Sequence, residues 1–406
     1  NTFQLAVSPL VVILSLKMSP VLNDILCELP RYKQVAQDLK ETILANLALI
    51  GEIPAPTFGE EDRIQRVVDR FNECMLQDPS IDEIGNAMGV FPGKDRDRNI
   101  LLVAHADTVF PAGTDHTLAV QSDRVVGPGV GDNSLGLAVL ASLPTLIDRL
   151  DFQPEANLIL LADTRSLGKG NLEGIRFFLQ NNKSPIEAGL CIEGVQIGRL
   201  GSDSLGMRRG EILCGFPDDY DWAKYGQANS IITLNEVINK IVAIPTPERP
   251  ATSIILGSIE GGTAYNAVPL QARLKFEIRS EDADQVKAVH RQIEDIVADM
   301  AGKTGEDVRL DIIAEREPGG IPGSHPLLTQ TRDIMRELDI QAAPRPSVSE
   351  LCAFIDEGIP ALTLGMTKGE NIHEMNSTVY IEPLFAGVAQ LLGALVAIDR
   401  GLCRED

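Results

Sequence analysis

The residues of this chain best suited to chemistry are two histidines and three acids. His105 and Asp107 stand in Ala104-His105-Ala106-Asp107-Thr108. Asp132 stands in Gly129-Val130-Gly131-Asp132-Asn133-Ser134-Leu135-Gly136, Glu193 in Cys191-Ile192-Glu193-Gly194, and His373 in Asn371-Ile372-His373. Neutral imidazole and carboxylate are ligand types that zinc takes, so His105, Asp132, Glu193 and His373 form a candidate metal set. Asp107 shares one side of an extended segment with His105 and is placed to orient that imidazole, a catalytic role exercised through the ligand. Each candidate lies at or just past the end of an apolar run, where open α/β sheets gather their sites.

The elements that must position them follow from periodicity. Ile100-Leu101-Leu102-Val103 before His105 is continuously apolar and predicts a strand buried on both faces. Leu135 to Leu150 reads as a helix whose start favours a carboxylate such as Asp132. Apolar strands and helices alternate around them: helices over Tyr32 to Ile50 (stopped by Pro54 and Pro56), from Gly59 to Asn72 and from Gly170 to Gln180, and a strand over Ala156 to Ala162. This predicts an α/β domain, a mostly parallel sheet with helices on both faces. After Gly201 the order becomes strand–helix–strand–strand–helix–strand: Leu205 to Cys214, Ser230 to Ile244, Thr252 to Ser258, Leu270 to Ile278, Glu281 to Met300 and Val308 to Ala314. That order predicts an inserted α+β, ferredoxin-like lid. Ala361 to Gly365 and Glu382 to Asp399 then rejoin the first domain. The predicted organisation is an N-terminal extension over 1–30, a split domain over 31–206 and 317–406, and the lid over 207–316.

Composition bounds the partners. The 406 residues include 36 basic and 58 acidic side chains, a net charge of −22, which argues against a nucleic-acid groove or an anionic membrane surface. The apolar stretch Leu5 to Leu16 is too short to span a bilayer, and Lys17 follows it instead of preceding it as a signal peptide requires. Six cysteines without paired spacing fit reduced thiols in a cytoplasmic protein. His116, His290 and His325 read as surface residues, Trp222 and Tyr225 as lid packing, and Glu60-Glu61-Asp62 as a helix-start charge run.

The stretches AHADTVFPAG, GPGVGDNSLGLAVL, GNLEGIRFFL, CIEG, IEGGTAYNAVPLQARLKFEIRSED, GIPALTLG and NIH run in order from about residue 30 to the C-terminus. In these the chain resembles the zinc-dependent metallopeptidase family that includes peptidase T, carboxypeptidase G, aminoacylase and acetylornithine deacetylase. The resemblance implies a split catalytic domain, a lid that makes a homodimer, and a pair of metal ions. It implies that Asp132 bridges both ions, that His105 and Glu193 complete one site, and that His373 belongs to the other. It also implies a cis Asp132-Asn133 peptide, and substrate contacts at Asn266 and Arg279. The implied substrate is a small peptide or N-acyl amino acid, cleaved at an amide next to a free carboxylate.

The chain departs from that pattern at the chemistry. Aligned on Gly168-Lys169-Gly170-Asn171-Leu172, Ser166 and Leu167 stand where the family has a Glu-Glu pair, the general base and a ligand of the His373 ion. Serine cannot accept that proton at neutral pH, and leucine offers no lone pair. One ion is therefore expected rather than two, zinc first, with cobalt and manganese as alternatives. In the lid Tyr220 replaces the family's oxyanion-stabilising histidine, and a phenol still donates a hydrogen bond. Val348-Ser349-Glu350-Leu351-Cys352 replaces Ser-Thr-Asp-Ala-Asn, and the segment after His373 lacks the family's acidic residue. Asp163, Glu350 and Glu374 are nearby carboxylates, none of which matches the base position. Two readings follow: an impaired metallohydrolase, or an inactive homologue that binds or plays a structural part.

Overall fold

The computed structural model describes residues 19–216, 229–304 and 306–404. Its main sheet is built from β1 (Gln77–Ile81), β2 (Ala87–Phe91), β3 (Asp95–His105), β4 (Ala156–Asp163), β5 (Ala188–Val195), β6 (Arg199–Gly201), β11 (Ala343–Pro344) and β12 (Ala361–Thr367); β7 to β10 belong to the lid. The order is β1-β2-β4-β3-β5-β12-β6-β11. The four central strands are mutually parallel, while β1 and β2 add an antiparallel edge that the sequence reading lacked. The continuous apolar run of β3 is explained by its two covered faces. Ile100, Leu102 and Ala104 pack into one core and Leu101 and Val103 into another, because side chains alternate along a strand. Truncating one of these fully buried leucines to alanine costs about 2–5 kcal/mol.

The larger core receives α1 (Pro20–Asp38), α2 (Lys40–Gly51), α3 (Glu61–Glu73), α4 (Leu135–Arg149), α8 (Pro326–Glu337) and α10 (Ile381–Asp399). The helix expected over Tyr32 to Ile50 is two helices broken at Leu39, and α1 begins well before it. Leu22, Ile25 and Leu29 of α1 are buried in the main core, so residues 20–30 are not a separate extension there. The opposite face is covered by α5 (Glu173–Asn181) and the short α9 (Leu351–Asp356). By length and composition, 130–149 and α10 could each cross a membrane, and both are largely buried inside the fold.

The lid has the expected element order. β7 (Gly206–Gly215), α6 (Ser230–Val242), β8 (Thr252–Gly261), β9 (Gln271–Ser280), α7 (Ala283–Thr304) and β10 (Asp307–Arg316) form an antiparallel sheet ordered β8-β9-β7-β10. Its own core joins Ile212, Leu274, Phe276 and Ile278 to Leu234, Val237, Val289 and Ile293 on the two helices. The opposite sheet face is charged, with Arg209 on Glu277 at 2.7 Å and Lys169 of the main domain on Glu211 at 3.3 Å.

Three histidines depart from the surface reading. His116, His290 and His325 are all buried, because the loop before Leu118, the inner face of α7 and the N-cap of α8 are each covered. Of the cysteines, Cys191, Cys214, Cys352 and Cys403 are buried, and Cys27 is exposed.

Candidate metal centre

His105 ends β3, Glu193 lies near the end of the neighbouring β5, and Asp132 sits in the tight turn that opens α4. The turn needs Gly129, whose φ of 69° is a left-handed value and whose missing Cβ would press on Thr108. The Asp132-Asn133 peptide is cis. Asn133 then joins two ligand segments: its Nδ2 donates to the Ile192 carbonyl and its Oδ1 accepts from the Gly194 amide, both at 2.8 Å. These partners flank Glu193 on either side, so one amide side chain fixes Asp132 against Glu193. Gly136 makes room for it, since a Cβ there would lie 2.1 Å from Asn133 Oδ1.

Ligand atoms of His105, Asp132 and Glu193 all lie within 4.8 Å of one another, the sole such trio among the described residues. His105 Nε2 is 3.1 Å from Asp132 Oδ1, while Nδ1 faces the backbone oxygen of Asp107 at 3.1 Å and its Oδ1 at 3.3 Å. Asp107 thus stands where it sets the tautomer and leaves Nε2 toward the trio. It is fully buried, and its Oδ2 accepts from Thr57 Oγ1 at 2.7 Å and from the Leu167 amide at 2.9 Å. Buried Arg63 holds the same loops: it donates to the carbonyls of Ile53 and Ala106, each at 2.9 Å, and of Gly51 at 3.1 Å.

The electrostatics are those of a cation-holding pocket. Burial opposes a charged His105, yet its hydrogen bonds to Asp107 and Asp132 outweigh this and hold it well above the ordinary histidine range. Burial likewise opposes charge on Asp132, but hydrogen bonding and charge from His105 keep its carboxyl below the usual range. Glu193 is pushed up to about 7 by burial, against the pull of Arg199, whose Nη1 lies 3.4 Å from Oε1. Positive charge is therefore favoured between one imidazole and two carboxylates, and that donor set fits a divalent ion.

The trio opens into a cleft of about 320 Å³ whose walls include Ser166, Leu167, Arg199, Arg209, Arg316 and His373. His373 is 69 % exposed, with Nδ1 3.5 Å from Asp132 Oδ2. Ser166 Oγ donates to Glu350 Oε1, a contact that joins residues 184 positions apart. Both residues are buried, Ser166 at 5 % exposure and Glu350 at 2 %. Glu60 is no mere surface charge run: it is buried and accepts from the Arg165 amide at 2.9 Å, next to Ser166. Asp163 pairs with His105 in sheet register and is fully buried, and neither of its oxygens has a hydrogen-bond partner. Burial first, and then the nearby Glu350 charge, push its carboxyl well above the usual range.

Other expected positions are not drawn together. Asn266 is exposed in the loop between β8 and β9, and Arg279 is engaged by Glu277, so neither lines the cleft of its own chain. The lid arginines that do reach it are Arg209, which donates to the Gly168 carbonyl at 3.0 Å, and Arg316, which donates to Asn171. They lie on the first and last strands of the lid, β7 and β10, and nothing in their sequence spacing marks them. Glu374 is exposed, and Tyr220 lies outside the described residues. A larger cavity of about 510 Å³ around Glu187, Ile321, His325 and Arg404 lies away from the trio and contains none of it.

Comparisons with known proteins agree with this architecture. Residues 223–305 match a peptidase dimerisation domain, and residues 86–193 match peptidase family M28. No curated protein matches the chain. Among solved structures, the dipeptidase Dug1p from Saccharomyces cerevisiae is 13 % identical with a TM-score of 0.75, over 92 % of this chain and 98 % of that one. A tripeptidase from Staphylococcus aureus is 20 % identical with a TM-score of 0.70, over 89 % and 99 %. YXEP from Bacillus subtilis, described as a dinuclear metal binding peptidase from the M20 family, is 14 % identical with a TM-score of 0.63, over 90 % and 99 %. The dimerisation-domain match falls within the lid, and the solved structures share this chain's fold over nearly its whole length.

Proposed function

We propose that the chain is a metal-dependent hydrolase that cleaves an amide or peptide bond next to a free carboxylate, with zinc held by His105, Asp132 and Glu193. The observation that carries this reading is the gathering of those three ligand atoms within 4.8 Å, in a cleft that also presents cationic side chains. When bound, such an ion polarises the scissile carbonyl and makes water acidic. The protein's own part is to fix the ligands. Asp107 keeps the His105 proton on Nδ1, and Asn133 locks Asp132 against Glu193. Arg199, Arg209 and Arg316 give the cleft the charge that a substrate carboxylate needs, and a guanidinium matches that group's two oxygens.

The assembly we propose is a homodimer through the lid. The dimerisation-domain match supports it, as does the lid's edge strand β8, which leaves Ile255, Leu256 and Ile259 exposed.

The competing reading, an inactive homologue that keeps fold and pocket for binding, is favoured by Leu167, an apolar side chain in the cleft wall. One experiment separates the two. Zinc content is measured on the purified chain, and dipeptides and N-acetyl amino acids are offered to it. The hydrolase reading expects stoichiometric zinc and a turnover that Asp132→Ala abolishes. Bound zinc without turnover of either substrate class favours the inactive homologue.

A further inference from the structure

We propose that Ser166 and Glu350 together supply the proton acceptor of this cleft, as a two-proton relay that replaces the missing glutamate. The proposal rests on the hydrolase reading above. Ser166 lines the same cleft as His105, Asp132 and Glu193, and its one hydroxyl proton is committed to Glu350 Oε1. Its oxygen therefore keeps its lone pairs free for a proton arriving from the cleft. Glu350 itself is buried behind the serine. The serine is also held from both sides: Glu60 takes the amide of Arg165 and Asp107 takes that of Leu167, each at 2.9 Å. Such fixed placement is what proton transfer demands of a catalytic group. Ser166 is the group that meets the reacting water, and Glu350 is a positioning residue that acts through it.

The step balances without an oxidant or reductant. The water oxygen bonds to the scissile carbonyl carbon, and the carbonyl π pair moves onto its oxygen. The water proton passes to Ser166 Oγ while the serine's own proton passes to Glu350 Oε1. Collapse of the tetrahedral adduct breaks the C–N bond, and the same path run backwards returns a proton to the departing amine.

Two measurements test the relay. In the metal-free full chain, an infrared difference spectrum against Glu350→Gln isolates the Glu350 carboxylate stretch, which should shift in Ser166→Ala; an unmoved band overturns the contact and the relay. In the zinc-loaded chain, Ser166→Ala and Glu350→Gln should each lower kcat on dipeptides or N-acetyl amino acids by roughly 10²–10⁴. KM and zinc content should stay unchanged, the double variant should lose no more than either single one, and Ser166→Thr should retain most of the rate. A proton inventory in mixed light and heavy water should be bowed, as two protons in flight require. If both single variants keep kcat within a few-fold while Asp132→Ala abolishes turnover, the relay falls and the hydrolase reading stands. If the zinc-loaded wild type turns over neither substrate class, both fall.

Discussion

The two walls of the cleft are held to different standards. On one wall His105, Asp132 and Glu193 hang from β3, α4 and β5, elements packed in the core, and Asp107, Asn133 and Arg63 tie their loops together. On the other, His373 stands largely in solvent on a loop, and Leu167 adds an apolar side chain to the cleft lining. Asp132 meets both histidines, His105 at 3.1 Å and His373 at 3.5 Å. The difference teaches that an ion on the first wall would meet candidate ligands already arranged, while an ion on the second would have to order its own.

That contrast can be broken or sharpened in steps. The largest effect belongs to Asp132→Ala, which should weaken zinc binding by at least about 10², beyond the usual ceiling for losing an outer partner; calorimetric titration with zinc measures it. Asp107→Asn leaves all three ligands in place but disturbs the His105 tautomer, so affinity should fall by roughly 10–100-fold. A smaller loss there would mean that the first wall is not pre-arranged.

Asp163 provides a pH test of the same wall. Its folded-state pKa is raised above the unfolded value near 3.8, so the folded protein holds a proton that the unfolded chain has released. Between the unfolded and folded values its contribution to stability therefore falls with rising pH, by about 1.4 kcal/mol per pH unit. Asp163→Asn should make the metal-free protein more stable at neutral pH, with the gain vanishing toward pH ~4. Urea unfolding of both proteins across that range reads it. The smallest effect should be that of His373→Ala on the first ion, about fivefold at most, the upper end for an exposed pair. A larger loss would make the two walls one site.

Much of this was legible in sequence where the signal is local. The run Ile100 to Val103 with His105 at its end, the glycine-flanked Asp132 and the strand–helix order of the lid each declare themselves within a few residues. What sequence could not give is pairing across distance. Nothing near Ser166 announces Glu350, nothing near Glu193 announces that Asn133 will hold it, and Arg316 looks like any strand-end charge until the fold places it in the cleft. Arg279 shows the converse: its strand is right, but the strand sets its side chain on Glu277, outside the cleft. His116 has polar neighbours that predict a surface position, yet it is buried.

The Asn133 bridge has a consequence for how this protein opens. The Gly194 amide it holds lies in the buried end of β5, at the centre of the main sheet. That amide should therefore exchange its hydrogen only in an opening that also separates Asn133 from β5. The ligand frame is thus not a loop that breathes on its own but is tied to the central sheet, and it should survive in any partly opened state in which the lid or the His373 loop has already let go.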